Sequence, residues 1–350
     1  MVAVVLNKTP RPNFKDTQFG FELVDKSVDQ PKEHEALVEI QGVAFNHRDV
    51  WILQGFYPLP ITPGSVLGSD GVGVVKKGKN NGQRVLICPG IGWDKDPRGP
   101  ENDYYILGLL PAIGTFANEV VVEEADLAPC PEHLSTAEAA ALPLAGLTAY
   151  RALFDKGCAK KGDHVLITGI GGGVAVYTLQ FAVAEGINVW VTSSSAEKID
   201  FAKKLGAKGG VNYKDPNCID DLKKQLNGDK LQAVVDGAGG KIYAQLPKVL
   251  ANGARMVNYG QTSDKSGNSM TSTDKGGIVF TMIHVFGNYD LRGSTMGSRR
   301  EFHEMVAFVD KHKIKPLVSK VWKGLSEETV DEAIDYMANG HQQGKLVIEL

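Results

Sequence analysis

Hydrophobic positions fall into two regimes along the chain. Up to about residue 140, short apolar runs alternate with turns rich in Gly, Pro, Asn and Lys. Residues 2–6 read as a short strand, and 36–40 alternate as a half-buried strand does. Residues 71–75 and 84–87 are further β segments, and 115–122 return to strand. Many short strands joined by such turns predict a partly open β-barrel. Residues 57–68 form a Gly- and Pro-rich loop. Residues 90–114, containing WDKDPRGPENDYY, are too polar for core and long enough for a lobe or flap.

Near residue 135 the pattern changes. Ser135-Thr136-Ala137-Glu138 has the form of a capping box opening an Ala-rich helix through LPLAGLTAYRAL. Strands at 165–168, 187–191, 210–213, 233–236 and 254–259 then alternate with helices at 174–182, 196–205 and 220–226. That alternation predicts a doubly wound parallel sheet, an α/β fold of the Rossmann kind. From about residue 301 come a helix, the segment PLVSKVW, another helix and a closing strand, KLVIEL.

Composition narrows the picture. A chain of 350 residues exceeds one typical core, so two domains are expected. A net charge of -3 gives no broad attraction to nucleic acid or to a membrane surface. Cys88, Cys130, Cys158 and Cys218 are widely spaced without a CxxC pair, which suits a reducing compartment better than a disulfide framework. The opening MVAVVLNKTPRP lacks the basic and long apolar regions of a signal peptide, and no apolar run has spanning length. A soluble cytoplasmic protein is the expectation.

The densest chemical signal is VLITGIGGGVA, residues 165–175. Strand, Gly-rich turn and helix bring a pyrophosphate against bare backbone N–H groups at a helix N-terminus. Gly169 permits the tight turn, a side chain at Gly172 would meet the phosphates, and Ala175 lets the helix lie close to its strand. Gly171, Gly173 and Val174 complete the expected cradle. Glycines also close ordinary strand–helix turns, but the surrounding βα alternation favours a dinucleotide. The second strand, NVWVT, ends in Ser193-Ser194-Ser195 where NAD-preferring domains carry an acid, and Lys198 follows. Neutral hydroxyls with one lysine favour the extra charge of NADPH. The alternative for Lys198 is a solvated helix lysine, and for Tyr213 a packed strand aromatic.

Several stretches together resemble the medium-chain dehydrogenase/reductase superfamily. They are Asn46-His47-Arg48-Asp49, Leu67 to Gly73 (LGSDGVG), Gly114 to Asn118 (GTFAN), Leu142 to Tyr150 (LPLAGLTAY), the glycine turn, Arg292 to Gly297 (RGSTMG) and Gly344 to Ile348 (GKLVI). Within the superfamily the chain resembles the zinc-free quinone oxidoreductase and enoyl-reductase branch. The resemblance implies a GroES-like catalytic domain made from residues 1–140 and a return at 293–350. Around residues 141–292 it implies a Rossmann domain, with a dinucleotide in the cleft.

Zinc alcohol dehydrogenases resemble the chain too, but place cysteine at Asn46, histidine at Ser69, glutamate at Asp70 and another cysteine at Leu144. Asn46, Ser69 and Leu144 cannot supply a thiolate–imidazole–thiolate set, and 90–114 lacks the four cysteines of the structural zinc lobe. Neither zinc is expected. Hydride transfer to a quinone or an enone then needs an organic donor for the oxygen. By resemblance Tyr57 is the proton donor, Asn46 points its amide at the substrate oxygen, Asp49 orients the loop and Thr148 touches the nicotinamide. His47 and Lys345 join the cofactor set, and Tyr213 matches a phosphate-contacting tyrosine. Ser69 and Asp70 are expected to be structural. Tyr57 before Pro58 could instead pack a turn, and Asn46 could cap the backbone. The apolar run at 276–286 matches an edge that pairs across a two-fold axis in relatives, so a homodimer is expected. The expected activity is NADPH-dependent reduction of a small-molecule quinone or α,β-unsaturated carbonyl. Alternatives are a metal-dependent alcohol or aldehyde dehydrogenase and a catalytically silent NADPH-binding protein.

Overall fold

The computed structural model describes residues 1–11, 17–109, 113–239, 241–262 and 281–350. The chain divides into two units, residues 1–147 with 297–350, and residues 148–296. The sequence pattern set these divisions at 140/141 and 292/293.

The first unit opens with β1 (Val2–Asn7), β2 (Gly20–Asp25) and β3 (Glu35–Ala44), followed by α1 (His47–Gln54). β4 (Asp70–Lys77), β5 (Arg84–Ile87), β6 (Gly90–Ile91), β7 (Tyr105–Ile106), β8 (Glu119–Glu123) and β9 (Leu127–Pro129) complete its β portion. α1 interrupts a region whose pattern suggested only strand and turn. Val50, Ile52 and Leu53 are buried, but so are the charged Arg48 and Asp49 of its first turn, which hides the apolar stripe. Gly55 ends the helix in the left-handed region, at φ 73°, where glycine carries no Cβ penalty. The strand expected at 115–122 begins only at Glu119.

The Ala-rich run is two helices, α2 (Thr136–Ala141) and α3 (Pro143–Tyr150). Pro143 lacks an N–H and suits a first helical position, so the helix restarts there. The capping box at Ser135 and Glu138 forms as expected.

The second unit continues with β10 (His164–Ile167), α4 (Gly173–Ala184), β11 (Asn188–Ser193), α5 (Ala196–Lys204), β12 (Gly209–Asn212), α6 (Cys218–Leu226), β13 (Leu231–Asp236), β14 (Leu250–Asn258), α7 (Met282–Gly287) and β15 (Asp290–Gly293). Among the described residues the strand order is β12-β11-β10-β13-β14-β15, every pairing parallel. The order reverses between β10 and β13. A doubly wound sheet opens its ligand crevice there, at the carboxyl ends of the strands. Residues 276–280 of the apolar run lie outside the described residues. Residues 282–287 are helix rather than edge strand, and the described edge is β15.

The chain then returns to the first unit with α8 (Arg299–His312), β16 (Val318–Lys323), α9 (Glu327–Ala338) and β17 (Lys345–Glu349). Its described strands run β16-β17-β3-β4-β5-β9, with β8 also on β3. Their inward side chains, with Ile52 and Leu53 of α1 and Ile334 and Met337 of α9, make one core. No helix among the described residues is long and apolar enough to cross a membrane.

Candidate active site

Strand register assembles the centre of the first unit from three remote stretches. β3 pairs antiparallel with β4, setting Ala44 opposite Asp70, and with β17, setting Ala44 opposite Val347. Asn46, Asp70 and Lys345 therefore meet just beyond the end of β3. Lys345 is 3% exposed and Asp70 fully buried. The Lys345 ammonium donates to Phe45 O at 2.6 Å, Asn46 Oδ1 at 2.6 Å and Asp70 Oδ2 at 2.8 Å. Its three donors thus have three acceptors. Asn46 Nδ2 donates to Asp70 Oδ2 at 2.9 Å and to Ser69 Oγ at 3.3 Å, and Leu144 N donates to Asp70 Oδ1 at 2.6 Å.

The Asn46 amide is therefore committed to the protein on both sides, rather than aimed at a substrate oxygen. Lys345, expected with the cofactor, holds this internal network of the first unit instead. The Leu144 bond also explains why the domain division falls after the start of α3.

Asp49 Oδ2 accepts from Asn46 N at 2.8 Å, whereas its buried Oδ1 has no hydrogen-bond partner. Burial pushes the Asp49 carboxyl up to about 6, against the opposing pull of Arg48, the Asn46 N–H and Lys345. Arg48, 8% exposed, donates through Nη1 to Leu107 O at 2.7 Å and through Nε to Tyr57 Oη at 3.3 Å. Tyr57 is half-buried, with the guanidinium carbon 4.9 Å from its ring centre. His47 is exposed, its ring edge-on to Trp51. After β6 the irregular stretch is organised by Glu101. Its carboxylate accepts from the N–H groups of Asp94, Lys95 and Asp96 at 2.8, 2.9 and 2.6 Å, a role no sequence signal had marked.

The second unit carries the glycine turn. Gly169 and Gly171 have φ of 63° and 125°, and Gly172 caps α4 without a side chain. A methyl group built on Gly172 would meet nothing within 4 Å, so open space lies beside the N-terminus of α4. That opening fits a pyrophosphate. Lys198 lies across the turn: a methyl on Gly171 would approach its Nζ to 3.4 Å.

Ser193 is buried and accepts from Ser195 N, while Ser194 is exposed. Ser195 caps α5 and bonds Glu197, an acid that no sequence signal marks. A cavity of about 500 Å³ opens at the carboxyl ends of the strands, lined among others by Gly169, Thr192, Tyr213, Lys214, Asp236 and Gln245. Tyr213 is 48% exposed, so it is not a packed core aromatic.

Asp236, also missed, is fully buried and accepts from Thr168 Oγ1, Tyr243 Oη, Asn258 Nδ2, Ala238 N and Gly239 N. It ties the switch-point strands together. Burial, and then the Asp236 charge, push the Tyr243 phenol up. The signal in sequence was the acid ending VVD before GAGG. Thr148 is buried and donates to Met296 Sδ at 3.7 Å.

Residues 32–132 match the model of the alcohol dehydrogenase GroES-like domain, and residues 173–311 that of the zinc-binding dehydrogenases. A zinc-type alcohol dehydrogenase-like protein of Leptosphaeria maculans is 41% identical over 340 residues, covering 91% of this chain and 92% of that one. The chain belongs to the medium-chain dehydrogenase/reductase superfamily. A crotonyl-CoA reductase of Streptomyces collinus is 29% identical, over 94% of this chain and 81% of its own. The crystal structure of an NAD-dependent alcohol dehydrogenase superposes with a TM-score of 0.83 at 32% identity, covering both chains completely. As a member of this superfamily the protein is an oxidoreductase, of a kind that uses nicotinamide cofactors.

Proposed function

We propose that the protein is an NADPH-dependent reductase of quinones or α,β-unsaturated carbonyl compounds that works without a catalytic metal. One observation carries the reading. In the first unit the acceptors of Asn46, Asp70 and Phe45 surround the Lys345 ammonium. A fixed organic cation thus sits among the groups whose counterparts in zinc relatives serve the metal. Asn46, Ser69 and Leu144 offer an amide, a hydroxyl bonded to that amide and an alkyl chain, a donor set that does not fit zinc.

The glycine turn and the cavity beyond it fit a dinucleotide. A bound reduced nicotinamide supplies hydride to the acceptor. The chain supplies the proton: Tyr57 Oη accepts from Arg48, which leaves its own hydrogen for the substrate oxygen or the adjacent carbon. Hydride and proton together complete a two-electron reduction. Asn46, Lys345 and Asp49 act as positioning residues beneath α1. His47, Thr148, Ser193, Ser194, Lys198 and Tyr213 serve the cofactor. Free cysteines at Cys88, Cys130, Cys158 and Cys218 accord with a reducing cytoplasm. The relative named for crotonyl-CoA reduction supports an enoyl acceptor.

The test is NADPH oxidation, followed at the nicotinamide absorbance against quinones and enones after dialysis with a chelator. Activity should survive chelation, and metal analysis should find less than one equivalent of zinc. Activity lost to the chelator and restored by zinc would overturn the reading. Glu197 beside the serine turn favours a second reading, an NADH-dependent alcohol dehydrogenase, since an acid there can bind a ribose hydroxyl. Alcohol oxidation with NAD as acceptor distinguishes it.

A further inference from the structure

We infer that Arg48 is the residue that aims and activates Tyr57 as the proton donor, an inference that rests on the reductase reading above. Arg48 stands in the first turn of α1, next to the bare N–H groups of the helix. A cation there opposes the helix dipole, and the surrounding protein leaves it only 8% exposed. Such a placement costs free energy, so local preference does not explain it. Its contacts do. Nη1 is anchored on Leu107 O at 2.7 Å, Nε donates to Tyr57 Oη at 3.3 Å, and the guanidinium lies 4.9 Å from the centre of the phenol ring.

The fork thus fixes both the ring and the oxygen of Tyr57 from the protein side. An oxygen already accepting from Arg48 turns its own hydrogen outward, and the phenolate left after proton transfer faces a fixed positive charge. The O–H bond of Tyr57 breaks, a bond from that hydrogen to the substrate forms, and solvent later returns the proton. Lysine would not substitute fully, because one ammonium cannot hold the Leu107 carbonyl and cover the ring in the same geometry.

The experiment compares wild type, Arg48→Gln, Arg48→Lys, Tyr57→Phe and the Arg48→Gln/Tyr57→Phe double variant, with an enone acceptor and NADPH. Expected for Arg48→Gln are a kcat at least tenfold lower, an unchanged KM for NADPH and a larger solvent deuterium isotope effect. Arg48→Lys should recover part of kcat, and Arg48→Gln should cost nothing further once Tyr57 is phenylalanine. If Arg48→Gln does not fold, the raised isotope effect is read in Arg48→Lys, and its absence there overturns the inference. An impaired Tyr57→Phe beside a fully active Arg48→Gln overturns the role of Arg48 while leaving Tyr57 as donor. A fully active Tyr57→Phe removes both, and a wild type that fails to oxidise NADPH with every quinone and enone tried removes the reductase reading itself.

Discussion

At the centre of the first unit single residues decide which buried charges are paired and which are left with an unsatisfied oxygen. A buried ion pair such as Lys345–Asp70 gains little net stability when set against an apolar pair, yet losing one partner strands the other's charge. Its value is that it fixes Asn46, Ser69 and the start of α3 at once. Asp49 shows the opposite situation, a carboxylate with one oxygen satisfied and the other stranded. Its folded pKa, about 6, lies above the ordinary carboxylate value of 3.8, so the native state binds more protons than the unfolded chain between those values. Its contribution to stability therefore falls as pH rises through that window and stays lost above it. The stability difference between wild type and Asp49→Asn, from urea melts at pH 4.5 and 7.5, should move against wild type by up to about 2 kcal/mol. A difference independent of pH would show that Asp49 is not held this way. The residue types at 46, 69 and 144 were readable as unfit for zinc. That Lys345 would meet Asn46 and Asp70 was not, because they lie some 300 and 275 positions away along the chain.

Among elements, α4 is the one on which the proposed binding of NADPH rests. Its first turn has open space at Gly172, whose φ of -73° any residue can adopt. Gly172→Val should therefore leave the melting temperature nearly unchanged while weakening NADPH binding at least tenfold, read by quenching of protein fluorescence. Equal affinity in the variant would move the pyrophosphate elsewhere. The glycine turn and the βα rhythm were legible because local geometry sets them: the period of apolar positions and the need for positive φ at Gly169 and Gly171. α1 was not legible, since its buried face mixes Val50 and Ile52 with Arg48 and Asp49. Glu197 was likewise not legible, because its partner Ser195 comes from the turn before α5, whereas Asp236 had a signal in the acid that ends VVD before GAGG, its partners coming from neighbouring strands and turns.

For the whole molecule, one surface stands out. Met282, Ile283, Val285 and Phe286 of α7 are between 51% and 76% exposed, and Leu291 on the edge strand β15 is 41% exposed. An apolar helix beside β15, the sheet's edge among the described residues, suits a second copy, and we propose a homodimer there. Equilibrium sedimentation at micromolar concentration should give a dimer, and Phe286→Glu a monomer. A monomeric wild type would remove the proposal. By itself the sequence determined the two regimes of secondary structure, the doubly wound alternation of strands and helices, and the glycine turn at Gly169 and Gly171, because each depends on spacing within a few residues. Tertiary structure alone decided which charges meet: Lys345 with Asp70 and Asn46, and Arg48 with Tyr57. Strand register and burial bring such groups together, and burial in a medium of low polarity gives their pairing its weight.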